Sequence, residues 1–185
     1  MGTSDSPSSA VDELAETFAE VARTLQAELS LQATLEKIVE LAPKTIDGCE
    51  HAGVTLVKGA KMLTPAASDD VPAQVDAIQY ETGEGPCLDA IRDHDVFQTD
   101  DLSHETRWPK FSRRAAEETG VASMLAFRLF IQENTMGALN LFSKEAAAFD
   151  AEDRAVGSIF AAHAPWHCRP PTSRTSWSTA WRVGT

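Results

Sequence analysis

The chain of 185 residues carries 16 basic and 28 acidic side chains, a formal net charge of −12. This acidity argues against nucleic acid or an anionic membrane as a direct partner, because both favour clustered Lys and Arg. No segment approaches the ~20 consecutive apolar residues of a membrane span, and the start shows no signal-peptide pattern. The three cysteines, Cys49, Cys87 and Cys168, have unrelated spacings typical of cytosolic thiols. We therefore expect a cytoplasmic protein with one globular domain.

The N-terminal region divides into two segments. Residues 1–10 are small and polar, and we predict that they form a disordered leader. Residues 11–29 are predicted to form a helix, because apolar side chains recur at spacings that alternate between four and three, as in a coiled-coil seam. Two interpretations stay open, a helix that lies on its own domain and a helix that forms a dimer. The seam consists of Val11, Ala15, Phe18, Ala22, Leu25 and Leu29.

A second helix is predicted to begin after Ser30, whose side chain is a favourable N-cap. Pro43 lacks a backbone donor and disfavours helical geometry at Ala42, so we expect a break or a kink there. The residues predicted to be buried are Leu31, Leu35, Ile38, Val39 and Ala42.

The next elements alternate between strands and helices. The segment "HAGVTLVKGAKMLTPAA" predicts two short strands around a turn at residues 58–60, and a short helix is expected over residues 71–79. The loop "ETGEG" leads into a helix with Pro86 in its first turn, where proline is tolerated. The segment "VFQTDDL" predicts a strand that ends in an acidic loop.

The second half of the chain predicts a helix, a hairpin and a last helix. In "RWPKFSRRAAEETG" Pro109 lies near the helix start and Gly120 provides the C-terminal stop. The strands "VASMLAFRLFI" and "MGALNLFS" are joined through residues 132–135. Asp150 is expected to cap the last helix with Asp153 three residues on. Its buried side is predicted to hold Val156, Ile159 and Phe160.

This order of elements predicts an α+β fold. Hairpins early and late, with helices between them, are typical of an antiparallel sheet flanked by helices.

No motif predicts catalysis. The segment "TGEGPC" lacks the Lys-Ser/Thr pair of a P-loop and the preceding strand of a dinucleotide-binding fingerprint. No Ser-His-Asp order or nucleophile elbow is present. The histidines His51, His94 and His104 match no metal-ligand spacing, so we expect neither a metal nor a cofactor. We predict that the protein is not an enzyme.

The "TGEGPC" loop is nevertheless a candidate ligand contact. The backbone N–H groups of Gly83, Glu84 and Gly85, with a helix dipole behind them, are suited to an anionic or polar ligand; the alternative is a turn that only positions the helix. Cys87 lies at the helix start, where the dipole lowers a thiol's pKa, and a buried inert thiol is the favoured alternative.

Three further residues have both a ligand and a structural interpretation. Trp108 and Phe111 are suited to the rim of a ligand cavity or to the core. Asn140 lies in the apolar run "GALNLF" and must find a hydrogen-bond partner, either the backbone, which we favour, or a ligand.

Together these segments resemble the GAF domain, a small-molecule-sensing module of the broad PAS-like type. The resemblance rests on "HAGVTLV", "ETGEGPCLDAIRDH", "DDLSHETRWPKFSRRA" and "MGALNLFS", which occur in the expected order. It implies a GAF domain over residues 30–164, with an antiparallel sheet of five to six strands and long N-terminal and C-terminal helices. The nearest subgroup is that of actinobacterial regulators in which a GAF domain precedes ANTAR, an RNA-binding helical module of transcription antitermination.

The resemblance implies a non-enzymatic sensor that acts as a homodimer. A small molecule or a partner would fill a cavity between the sheet and the helices of "GPCLDAIRDH" and "RWPKFS", and would shift the packing of the terminal helices. Candidate ligand-binding residues are Gly83, Glu84, Gly85, Cys87, Asp100, Trp108, Phe111, Phe127 and Asn140. Candidate dimerisation residues are Val11, Phe18, Ala22, Leu25, Leu29, Val156 and Ile159.

Two other functions stay open at this point. The first is a thiol enzyme that reduces free methionine sulfoxide, although such enzymes need several cysteines around the pocket. The second is a dimerisation module without a ligand.

Residues 165–185 differ in composition from the rest, with three of the four Trp, three Arg and no acid. One interpretation is a disordered or cloning-derived tail. The favoured interpretation is a frameshift, because one GC-rich back-translation, read after skipping two nucleotides, gives an acidic amphipathic helix. That peptide resembles the linker to an ANTAR domain, so we expect that the RNA-binding output has been lost.

Overall fold

The computed structural model describes residues 7–28, 30–58, 61–93, 96–132 and 135–163. Within these ranges the helices are α1 (Pro7–Gln26), α2 (Leu31–Thr45), α3 (Asp70–Thr82), α4 (Pro86–Asp93), α5 (Pro109–Thr119) and α6 (Ala151–His163). The strands are β1 (His51–Lys58), β2 (Lys61–Ala67), β3 (Val96–Thr99), β4 (Ser123–Gln132) and β5 (Thr135–Ser143), and a 3₁₀ turn spans Leu102–His104.

The strands form one antiparallel sheet in the order β2-β1-β5-β4-β3. Helices pack on both faces of this sheet, so the predicted α+β fold is confirmed. Both predicted hairpins are present: Lys58 pairs with Lys61 at the end of the first, and Gln132 pairs with Thr135 at the end of the second. The turn residues 59–60 and 133–134 lie outside the described ranges.

The predicted helix ends are confirmed where the chain supplies a cap. The Ser30 hydroxyl accepts a hydrogen bond from the backbone N–H of Ala33 at 3.1 Å and begins α2. Gly120 ends α5 with a left-handed φ of 73°. Asp150 and Asp153 cap α6 reciprocally, each carboxylate accepting from the other's backbone N–H at 3.0 Å.

Three helix predictions need correction. Leu31 was predicted to be buried, but it is 39% exposed at the first position of α2. The break expected at Pro43 does not occur, because α2 continues through it to Thr45. Pro43 lies in the last turn, where its missing N–H removes one hydrogen bond, and Ile46 closes the helix by donating to the Ala42 carbonyl at 3.0 Å. The helix predicted over residues 11–29 spans Pro7–Gln26, so it includes part of the predicted leader. Residues 1–6 and the predicted tail 165–185 lie outside the described ranges.

Each face of the sheet carries its own core. The first core lies beneath α1, α2 and α6, and its large strand residues include Val54, Leu125, Phe127, Leu139 and Leu141. The second core lies beneath α3, α4 and α5 and includes Val75, Ile78, Ile91, Phe111 and Phe142. Because neighbouring strand residues point to opposite faces, β5 contributes to both cores.

The terminal helices α1 and α6 pack on the first core. Leu25 and Val156, which were predicted to support dimerisation, are buried in this core and contact their own chain. Ala22 and Ile159 are half-buried. The side chains of Val11 and Phe18, and the whole of Leu29, lie outside what the structure describes. In the described part of the chain, no helix combines the length and the apolar character that crossing a membrane requires.

Candidate functional site

Helix α3 turns three polar side chains toward the sheet. Asp76, Gln79 and Tyr80 follow the spacing i, i+3 and i+4, so they share one helix face. Asp76 and Gln79 are completely buried. One carboxylate oxygen of Asp76, Oδ2, accepts hydrogen bonds from the hydroxyls of Thr55 on β1 at 2.7 Å, Thr64 on β2 at 2.8 Å and Tyr80 at 3.2 Å. This carboxylate therefore connects α3 to two strands.

The other oxygen of Asp76 connects α3 to a third strand. Oδ1 accepts from the amide nitrogens of Gln79 and Asn140, both at 3.2 Å. Asn140 on β5 also donates to the Thr55 hydroxyl at 3.0 Å. The Asn140 carbonyl oxygen is buried and has no hydrogen-bond partner. We call this group of six residues the Asp76 cluster, and it consists of Thr55, Thr64, Asp76, Gln79, Tyr80 and Asn140.

Burial controls the ionisation of the Asp76 cluster. Desolvation raises the pKa of Asp76 to about 6, and the hydrogen bonds that it accepts oppose this rise. Desolvation also raises the pKa of Tyr80, and the neighbouring charge of Asp76 adds to that increase. The donors Thr55, Thr64, Tyr80, Gln79 and Asn140 are neutral hydroxyls and amides. The cluster thus surrounds a buried acid with five neutral hydrogen-bond donors.

Hydrogen bonds within the protein hold the glycine loop before α4. Gln79 uses its side-chain carbonyl to accept a hydrogen bond from the backbone N–H of Cys87 at 3.0 Å. Glu84 accepts from the backbone N–H of Lys110 at 2.9 Å and so caps the start of α5. Gly83 ends α3 at a φ of 68°. These contacts favour the interpretation of the loop as a turn that positions α4.

The two described cysteines lie on opposite faces of the sheet. Cys87 belongs to the second core and Cys49 to the first. Both are buried free thiols. Desolvation raises the pKa of Cys87 well above its ordinary value, with the charge of Asp76 adding to the effect, and burial raises the pKa of Cys49 to about 12. Neither thiol has the low pKa of a nucleophile.

Trp108 closes the second core next to α4. Its indole is 3% exposed and donates to the carboxylate of Asp89 at 2.7 Å. Phe97 packs edge-on against it at a centroid distance of 6.1 Å. The Arg107 guanidinium lies 4.4 Å above the ring. Glu105 fixes that guanidinium with two hydrogen bonds, which lower the pKa of the Glu105 carboxyl to about 2.

The matching family model is described as "GAF domain" and covers residues 28–164. The chain belongs to the GAF domain family. No curated protein matches this sequence.

Solved structures share this GAF fold at low sequence identity. A GAF sensor protein from Burkholderia vietnamiensis has a TM-score of 0.62 and 19% identity, with 83% of this chain and 94% of that chain covered. The GAF domain of a phosphoenolpyruvate-protein phosphotransferase from Coxiella burnetii has a TM-score of 0.63 and 13% identity, covering 82% and 90%. The free methionine-R-sulfoxide reductase from Neisseria meningitidis has a TM-score of 0.59 and 16% identity, covering 88% and 93%.

The GAF fold brings some of the predicted ligand residues together and separates others. Cys87, Trp108 and Phe111 lie in the second core, where the side chain of Asn140 also points. Gly83, Glu84 and Gly85 form the turn that leads into this core. Asp100 is exposed beyond the end of β3 and accepts from the side chain of Gln98 at 2.8 Å. Phe127 is buried in the first core, on the other face of the sheet.

Five members of the Asp76 cluster were not predicted from the sequence. The signal was present in "VPAQVDAIQY", where Asp76 and Gln79 each follow an apolar residue of the same helix. Their spacing with Tyr80 indicates a polar stripe, which is ordinarily solvent-exposed. Thr55 and Thr64 gave no such signal, because only strand pairing brings them within reach of Asp76.

The GAF domain also has an acidic cleft on the other side of the molecule. Its volume is about 580 Å³, and it is lined by Thr17 of α1, by the segments that precede β1 and follow β5, and by the start of α6. The described residues contain no group of three His, Cys, Asp or Glu arranged to hold a metal ion. Carboxylates line much of the cleft, namely Asp47, Glu50, Glu145, Asp150, Glu152 and Asp153.

Proposed function

We propose that this GAF domain is a non-enzymatic sensor. A small molecule binds between the sheet and helices α3, α4 and α5, and the terminal helices carry the signal. The observation that supports this proposal is the Asp76 cluster, in which polar groups from α3 and three strands converge inside an apolar core. Binding sites combine apolar walls with a few convergent polar groups of this kind.

Strand β5 supplies a physical route from the ligand to the terminal helices. Asn140 faces the Asp76 cluster, whereas its neighbours Leu139 and Leu141 pack in the first core. Val156 of α6 and Leu25 of α1 lie in that same core. A ligand that moves β5 therefore changes the packing of the first core beneath both terminal helices. If that core has two stable packings, the ligand shifts the population between two arrangements of α1 and α6.

The proposal includes a homodimer in which α1 and α6 of two copies meet. The half-buried positions Ala22 and Ile159 support this arrangement, because they leave part of each side chain for a partner. Leu25 and Val156 act within the chain and couple the helices to the sheet.

The positions of the cysteines support a sensor over a thiol enzyme. Reduction of methionine sulfoxide by a thiol produces an oxidised cysteine that a second thiol must resolve. Cys87 and Cys49 have the sheet between them and both have raised pKa values. The similarity to methionine sulfoxide reductases is one of fold, at 16% identity.

Two measurements test the proposed function. Native mass spectrometry of the purified full chain is expected to detect a dimer and a co-purified small molecule in the same spectrum. A turnover assay with free methionine sulfoxide and a thioredoxin system is expected to show no activity. Turnover that Cys87→Ser abolishes would establish the thiol enzyme instead. A monomer that carries no small molecule and does not respond to any added ligand would contradict the sensor.

We also propose a finer assignment, to the regulators in which a GAF domain acts with an ANTAR domain in transcription antitermination. The segments "ETGEGPCLDAIRDH" and "DDLSHETRWPKFSRRA" support it by their resemblance to that subgroup. The coding DNA is the test, because the assignment expects an ANTAR-coding frame overlapping codons 165–185. A gene whose long GC-rich frame continues only in the register of the tail would contradict it.

A further inference from the structure

The two oxygens of the Asp76 carboxylate meet different kinds of donor. Oδ1 accepts from the side-chain amides of Gln79 and Asn140, whose nitrogens donate hydrogen bonds and do not accept them. The Gln79 amide is fixed in this orientation, because its carbonyl oxygen accepts from the backbone N–H of Cys87. A proton placed on Oδ1 would therefore point at amide N–H groups.

Oδ2 of Asp76 faces hydroxyl groups, which can donate or accept. The hydroxyl oxygens of Thr55 and Thr64 lie 2.7 and 2.8 Å from Oδ2, and that of Tyr80 lies 3.2 Å from it. The Tyr80 hydroxyl is also 3.2 Å from the Thr64 hydroxyl, where either oxygen can be the donor, and 3.3 Å from the Thr55 hydroxyl. The hydroxyls thus form a chain of hydrogen bonds whose direction can reverse.

This chain of hydroxyls leads from the buried carboxylate to the protein surface. Asp76 and Thr55 are buried, whereas Thr64 and Tyr80 are half-buried and so reach solvent. Both half-buried hydroxyls are direct hydrogen-bond partners of Oδ2. A proton from solvent can therefore reach the carboxylate along hydrogen bonds that already exist.

We propose that Asp76 and the Thr64–Tyr80 hydroxyl pair form a proton-linked switch, in which proton uptake at Oδ2 reverses the hydrogen bonds of both hydroxyls. In the ionised state both hydroxyls donate to Oδ2. In the protonated state the new O–H of Asp76 donates to Thr64, and Thr64 donates to Tyr80. Tyr80 then donates to Thr55, which keeps its own hydrogen bond to Oδ2. One proton enters from solvent, and no bond between heavy atoms forms or breaks.

The switch changes how strongly α3 is held on the sheet. In the ionised state the amides of Gln79 and Asn140 donate to a charged oxygen, and in the protonated state they donate to a neutral carbonyl oxygen. Charge-assisted hydrogen bonds are roughly twice as strong as neutral ones, so protonation weakens the link between α3 and β5. The neighbours of Asn140 on β5 pack in the first core beneath α1 and α6. The switch goes beyond the proposed sensor function, since it requires no ligand.

The surroundings of Asp76 allow this switch to work near neutral pH. Desolvation raises the pKa of Asp76 to about 6, and the hydrogen bonds that it accepts oppose this rise. Two other titratable groups face it, Tyr80 on its own helix and Cys87 on α4. Desolvation raises the pKa of both groups, so both stay neutral between pH 5 and 8.

The other elements packed against α3 present neutral or surface groups. The strands β1, β2 and β5 face Asp76 with the neutral side chains of Thr55, Thr64 and Asn140. The lysines Lys58 and Lys61 are exposed at the ends of β1 and β2. Arg114 of α5 forms an ion pair with Glu81 of α3 at 2.9 Å, where both side chains are exposed to solvent. Among these described groups, Asp76 is therefore the one that changes charge between pH 5 and 8.

Tyr80 is the single tyrosine of the chain, so its NMR signals are assigned without ambiguity. The test records the carbon signals of the hydroxyl-bearing ring carbon of Tyr80 and of the Asp76 carboxyl in the full chain between pH 4 and pH 8. Both signals are expected to change with one common midpoint near pH 6. Asp76→Asn should abolish the change at Tyr80, and the control Asp47→Asn, which removes an exposed carboxylate, should retain it.

Thr64→Val tests the hydroxyl chain itself. It removes one donor to the carboxylate, and donors stabilise the ionised form, so the midpoint of Asp76 should rise by about one pH unit. Thr82→Val is the matched control, because the Thr82 hydroxyl donates to the carbonyl of Ile78 at 2.7 Å within α3. It should leave the midpoint of Asp76 unchanged. Equal midpoints in Thr64→Val and Thr82→Val would contradict the switch.

Three further outcomes would overturn the switch. The first is a Tyr80 signal that does not depend on pH, and the second is a Tyr80 transition that persists in Asp76→Asn. The third is a transition confined to the side-chain amide of Asn140, which would place the proton on Oδ1. Should Asp76→Asn fail to fold, the comparison of the Asp76 and Tyr80 midpoints in the wild-type chain decides, and different midpoints would exclude the switch. The test uses no ligand, so its failure leaves the sensor function standing.

Discussion

The side chain of Gln79 fills the space in which a side chain on residue 85 would begin. The Cγ atom of Gln79 lies 2.7 Å from the position that a Cβ on Gly85 would take. Gly85 has a φ of 141°, a backbone conformation that side chains rarely adopt. This contact places the Gln79 carbonyl over the start of α4, where it accepts from Cys87, so glycine at position 85 is a packing requirement.

Replacing Gly85 by alanine is therefore expected to destabilise the protein. The new Cβ would strain the backbone and displace Gln79, so Gly85→Ala should lower the free energy of unfolding by about 3 kcal/mol. Gly83→Ala is the matched control, because Gly83 also has a positive φ but has no atom within 4 Å of its Cβ position. It should cost about 1 kcal/mol. Urea denaturation measures the free energy of unfolding of both variants. Equal decreases would show that the Gln79 side chain can move away from the new Cβ without a loss of stability.

The pH dependence of stability should report the burial of Asp76. Its pKa rises from 3.8 in the unfolded chain to about 6 in the folded one, so the folded state retains a proton that the unfolded state has released. Stability contributed by this group is full below pH 3.8 and is lost as the pH rises toward 6. The loss amounts to about 3 kcal/mol, from a shift of roughly two pKa units.

Asp76→Asn isolates this contribution from other carboxylates. Its amide can accept from Gln79 and Asn140 and donate to the threonine hydroxyls, so the hydrogen-bonded geometry is kept. We expect the variant to be more stable than the wild-type chain at pH 7.5 and similar to it at pH 4. Urea denaturation between pH 4 and pH 7.5 measures the difference in free energy of unfolding between the two proteins. A difference that does not change with pH would show that Asp76 does not cause the pH dependence of stability.

The Trp108–Asp89 hydrogen bond should contribute measurably to closing the second core. The indole N–H donates to a carboxylate at 2.7 Å and Trp108 is buried, so the bond is charge-assisted and shielded from water. A double-mutant cycle with Trp108→Phe and Asp89→Asn should give a coupling free energy of about 1–2 kcal/mol. Urea denaturation of all four proteins measures it. Additive effects of the two substitutions would show that the bond adds nothing to packing.

The two described thiols should be unreactive in the folded protein. Burial raises the pKa of Cys49 to about 12 and raises that of Cys87 as well, so few thiolates form at pH 8. In a Cys168→Ser background, a disulfide reagent should modify neither thiol in native buffer and both in urea. Mass spectrometry locates the modified residue. Fast native modification of Cys87 would show that the second core opens readily.

Local signals in the sequence predicted most of the fold. Ser30, Asp150 and Gly120 act as helix ends because caps and positive-φ stops depend on neighbouring residues only. The prediction failed at Pro43, since a proline in the last turn removes a single hydrogen bond and leaves the helix intact. Local rules indicate that proline disfavours a helix, but they do not say how close the helix is to its end.

The candidate site was predicted less completely, because it depends on strand order. Asn140 was identified as a buried polar residue that needs a partner, and the backbone was the favoured answer. Its partners are Thr55 and Asp76, which are 85 and 64 positions away in the chain. Phe127 was grouped with Asn140, but the pairing of β4 with β5 turns it to the opposite face.

The sequence alone determined the elements, the α+β class and the resemblance to GAF domains, because apolar periodicity and turn residues are local properties. The tertiary structure decided which residues meet. Strand register placed Cys49 and Cys87 on opposite faces and joined α3 to β1, β2 and β5 around one carboxylate. A buried charge is stable only where donors from distant segments surround it, and that condition is met only after the chain has folded.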